Sequence, residues 1–151
     1  MTPQPEIPTS HTDRLAAMIN YGLMAAAPFT LGVLAIVALL VAYLRRGRAD
    51  PISRSHYVQQ IRNFWTDLMV LGIGFICGWG ALAAGVGAAL EAMGVPLPGY
   101  YSAVHIGVGA FVLGGLWLLF WAWGFFGLVF GSITGAMRLA SGRPASKTRG
   151  L

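Results

Sequence analysis

The sequence predicts an all-α, polytopic integral membrane protein with three transmembrane helices and one or two interfacial amphipathic helices. Three observations carry this. Hydrophobic residues make up 56% of the 151 positions and charged residues only 10%, where a soluble domain carries about a quarter charged. Charge-free runs long enough for a helix to cross a bilayer recur at residues 15–44, 68–90 and 102–137. The basic residues gather at the edges of those runs, from Arg45 to Arg62 and from Arg138 to Arg149. A chain this poor in charge cannot coat itself in water, so lipid must cover the rest. The net charge of +5 then reads as membrane-flank charge facing anionic headgroups, not as a nucleic-acid surface.

The elements follow in order within one membrane domain, residues 13–140. Residues 1–12 hold three prolines and read as a flexible tail. Glu6 and Asp13 precede the first apolar run with Arg14 alone, a poor signal-peptide start, so the run is expected to stay as a span. The first span covers about 21–44 and ends at Arg45-Arg46. If Pro28 splits this run into a hairpin, the N-terminus moves to the other face. An Arg-rich loop comes next, and at 56–67 an interfacial helix or a polar first turn of the second span. The second span, about 68–90, contains the lone Cys77, expected as a small buried hydrophobe.

Residues 91–101 lack Lys and Arg and form a loop on the opposite side. Tyr100 and Tyr101 lie there at headgroup level, as Trp65 does at the start of span two. The run 102–137 is too long for one span and too short for two. It predicts a third span at about 102–127, a bend near the glycines, and an interfacial helix at 128–140. Residues 141–151 read as a flexible basic tail. The arginine asymmetry puts loop 45–62 and the C-terminus in the cytoplasm and the N-terminus in the periplasm of a bacterial inner membrane.

Two patterns stand out as candidate binding features. Gly74, Gly78, Ala81 and Gly85 share one helix face, and Gly127, Gly131 and Gly135 continue the small-residue spacing. Such faces let helix backbones approach closely in lipid. His56, Gln60, Asn63 and Asp67, with Arg62 beside them, make a polar stripe that would suit a partner or a headgroup. Its competing reading is a solvated helix face. Trp117, Trp121 and Trp123, with nearby phenylalanines, read as an aromatic belt. His105 opens span three near the face opposite His56, so the two should not clamp a haem. No catalytic, metal or cofactor motif occurs.

The segment Ser55–Asp67 carries His56, Gln60, Arg62, Phe64 and Trp65 at the entry to the second span. This resembles a family of small uncharacterised bacterial inner-membrane proteins, distantly related to the chloroplast inner-envelope protein-import (Tic-type) component. The resemblance implies a helical membrane fold, and translocation as a candidate role. The expected function is a non-enzymatic scaffold or accessory subunit, packing on itself or on other membrane subunits. The alternative is an oligomeric transport component, and a cofactor- or haem-binding role comes last.

Overall fold

The computed structural model describes residues 11–95 and 103–145, with side chains in the second stretch from Ile106 onward. All regular structure among them is helical: α1 (His11–Ala26), a 3-10 turn (Ala27–Thr30), α2 (Val33–Arg45), α3 (Pro51–Ala92) and α4 (Ala103–Ala140). Two of these, α3 and α4, are long and apolar enough to cross a membrane. Tyr100, Tyr101, the first ten residues and the last six fall outside the described residues, as does the His105 side chain.

The first apolar run is not one continuous helix. Pro28 has no N–H to give and its ring crowds the preceding turn, so α1 stops at Ala26. The chain tightens into the 3-10 turn and then passes through two left-handed residues, Leu31 (φ 51°) and Gly32 (φ 84°). Glycine adopts that conformation without strain; leucine does so at a cost. The turn sends α2 back along α1. At the open end Arg45 stands 3.8 Å from Asp13; further in, Asn20 Nδ2 donates to the Ala38 carbonyl at 3.0 Å. Ala35, Ala38 and Ala42 are buried, and their spacing puts them on the side of α2 that meets α1. Ile36, Leu40 and Leu44 are exposed.

Asp50 begins α3: its Oδ1 accepts the N–H groups of Ile52 and Ser53, each at 3.0 Å, with Pro51 at the first helical position. The helix then runs 42 residues without a break. Segment 56–67 is therefore its first part, not a separate interfacial element. Helix α4 is likewise assigned as one helix of 38 residues, so the segment 128–140 continues it without a break and is not a separate helix. The glycines there do not loosen it because each faces a neighbour: Gly127 meets Asp67, Gly131 meets Asn63 and Gly135 meets Tyr21.

Both long helices end in the same way. After α3, Gly94 (φ 80°) donates to Glu91 and Val95 to Leu90. After α4, Gly142 (φ 66°) donates to Leu139 and Arg143 to Arg138. Each glycine takes the left-handed position of a Schellman cap.

The chain divides into two compact units, Met1–Asp67 with Phe125–Leu151, and Leu68–Gly124. In the first, Ala17, Tyr21, Ala42, Tyr57, Ile61 and Leu139 form the core. In the second, small residues of one helix receive large ones of the other. A Cβ at Gly74 would come 2.9 Å from Phe120, one at Gly78 2.7 Å from Trp117, and one at Gly124 2.8 Å from Leu71. Gly114 faces Ala81, and among the described residues Gly85 has nothing within 4 Å.

Candidate functional site

The polar stripe of α3 lies inside the first unit, where α1, α2 and the end of α4 surround it. His56 is fully buried and both its ring nitrogens are engaged. Nε2 lies 2.9 Å from the Arg143 carbonyl and Nδ1 lies 2.9 Å from the Tyr21 hydroxyl. A carbonyl only accepts, so Nε2 carries the proton; Nδ1 then accepts from the hydroxyl, and the imidazole is satisfied as the neutral form.

One turn along, Gln60 Oε1 accepts from Asn20 Nδ2 at 2.7 Å, and Gln60 Nε2 donates to the Ala17 carbonyl at 3.3 Å. Asn20 thus ties α1 to α2 through Ala38 and to α3 through Gln60. Asp67 is buried and Asn63 half-buried, both on the side of α4, whereas Arg62 is exposed. His56, Gln60 and Asp67 are engaged or enclosed within the chain and present no free face to a partner or headgroup. Trp65 is half-exposed and donates its indole N–H to the Tyr43 hydroxyl at 3.2 Å.

Residues 141–145, read from the sequence as part of a flexible tail, are pinned across this cluster. The Ala145 N–H donates to Ser55 Oγ at 3.1 Å, and Arg138 donates to the Ala145 carbonyl at 2.8 Å. From α1, Arg14 donates to the Leu139 carbonyl at 3.0 Å and also to that of Ala140. These carbonyls at the helix end would otherwise lack partners, and a guanidinium there also complements the helix dipole. Arg14, Asp50, Ser53 and Gly142 line a cavity of about 70 Å³, and Asp50 Oδ2 has no partner among the described residues.

Sequence reasoning missed Arg14, Asn20 and Tyr21. Asn20 had a visible signal: an amide inside a charge-free run is costly in lipid unless it is bonded.

The second unit carries an open groove of about 570 Å³ with an almost wholly apolar lining. Gly78, Ala81 and Gly114 contribute small residues to it, and Trp79, Trp117 and Trp121 the large ones. Trp117 and Trp121 are tilted rings 6.5 Å apart. Among the described residues no three His, Cys, Asp or Glu side chains come together as a metal site.

Comparison with known protein families, with curated proteins and with solved structures finds no match to this chain.

Proposed function

We propose that this chain is a non-catalytic integral membrane protein, an accessory subunit that receives a transmembrane helix of another subunit in the groove beside Trp79, Trp117 and Trp121. The groove is the observation that carries the reading. Its lining is apolar, so it suits an occupant within hydrocarbon. Gly78 is filled by the chain's own Trp117 and Gly114 meets Ala81, so the occupant packs against the exposed aromatic walls of the groove, Trp79, Trp117 and Trp121, and in lipid such packing replaces the missing hydrophobic drive. The open Gly85 lies on the same helical face as Gly78 and Ala81 and extends the small-residue surface. Gly74 and Gly78 themselves accommodate the chain's own Phe120 and Trp117. Arg45, Arg46, Arg48 and Arg54, all exposed, supply positive charge for anionic headgroups on the cytoplasmic side of a bacterial inner membrane.

The test fills the groove. Ala81→Trp should reduce the mass of the complex, extracted in mild detergent and weighed by native mass spectrometry, to that of the isolated chain. An unchanged complex mass contradicts the reading. Gly22→Ala, at a position with nothing within 4 Å, serves as the control.

A further inference from the structure

We infer that α1 and α2 form a re-entrant hairpin: it enters the leaflet adjoining the Arg45–Arg48 cluster, contacts the acyl chains of that leaflet, and returns to the same face. Four observations converge on this. First, α2 is 13 residues long and so rises only about 20 Å, against a hydrocarbon core of about 30 Å. The apolar part of α1 after Arg14 has 12 residues and rises about 18 Å. Neither helix crosses alone, and the direction reverses between them.

Second, the charges sit at one end. Asp13 pairs with Arg45 at the open end, and residues 15–44 hold no charge. Third, the tip is apolar and uncovered: Leu31 is 95% exposed, Phe29 76% and Val33 59%. Water would disfavour that surface, whereas acyl chains match it.

Fourth, the turn supplies its own hydrogen bonds. A chain reversal in hydrocarbon must satisfy its backbone internally. The Gly32 N–H donates to the Ala27 carbonyl at 2.9 Å, and Thr30 Oγ1 donates to the same carbonyl at 3.1 Å. Thr30 Oγ1 in turn accepts from the Leu34 N–H at 3.3 Å, and the Gly32 carbonyl takes the N–H groups of Ala35 and Ile36. Turns in water also make such bonds; in hydrocarbon they are obligatory, and this turn has them.

This goes beyond the accessory role and stands whether or not the groove has a partner. The experiment uses the full chain with Cys77→Ser, reconstituted in phospholipid vesicles. A double variant, Thr12→Cys with Gly47→Cys, keeps every arginine and places one thiol at each end of the hairpin. It is labelled first with an impermeant maleimide from outside, then with a second colour after permeabilisation. Both thiols of each molecule should take the same colour, however the molecules are oriented. A third variant, Leu31→Cys, should resist the impermeant reagent from both faces, and a fluorophore placed there should be quenched by nitroxides on acyl chains.

Different colours at 12 and 47 would show a through-span and overturn the proposal. Ready labelling at 31 would show a hairpin in water and overturn it too. Disulfide-linked dimers of the Leu31→Cys variant without acyl-chain quenching would give the tip to a second copy, with the same consequence.

Discussion

Gly135 stands where only hydrogen fits, because a Cβ there would lie 2.5 Å from the Tyr21 ring. Gly135→Ala should therefore destabilise the protein by about 1–3 kcal/mol through overpacking, read as a lowered unfolding midpoint in detergent. Gly22→Ala, in open space, should be neutral or slightly stabilising. The pattern at His56, Gln60, Asn63 and Asp67 was plain in the sequence as one helical face. That the face points inward was not, because periodicity gives the stripe and not what covers it. Tyr21 and the Arg143 carbonyl, the two groups that occupy His56, lie 35 and 87 residues away.

At the scale of elements, helix ends carry testable energy. Asp50→Ala removes the acceptor for two N–H groups of α3 and should cost about 1 kcal/mol, with Asp50→Asn nearly neutral. Gly142→Ala puts a side chain at φ 66° and should cost about 1–2 kcal/mol, freeing the bonds from residues 143–145 to α3. Hydrogen exchange at the Ala145 amide should then accelerate; an unchanged rate would mean that the latch does not depend on the cap. The sequence shows α3 and α4 through their charge-free runs and arginine borders. It shows the break at Pro28 as well, but the consequence depends on Leu31 and Gly32 both turning left-handed and on a row of alanines on α2. Length alone favours one tilted span, whereas the run divides into α1, a 3-10 turn and α2, the split that Pro28 also allows. The separate helix expected at 128–140 merges into α4 for a related reason: Gly127, Gly131 and Gly135 read locally as weak points, yet each is braced by a side chain from another helix.

For the whole molecule, the apolar surface decides where the chain can exist. Leu68, Ile76, Trp79, Phe111, Leu118 and Trp123 are among many large side chains open to their surroundings, far more than a water-soluble monomer tolerates as contiguous surface. The buried polar side chains among the described residues, by contrast, all lie in the unit that holds the hairpin, and Asn20, His56 and Gln60 are hydrogen-bonded there. The most direct measurement is alkaline extraction of membranes bearing the untagged chain, followed by ultracentrifugation. Retention in the pellet, with release only by detergent, is the predicted result; recovery in the supernatant as a monodisperse, detergent-free particle would contradict it.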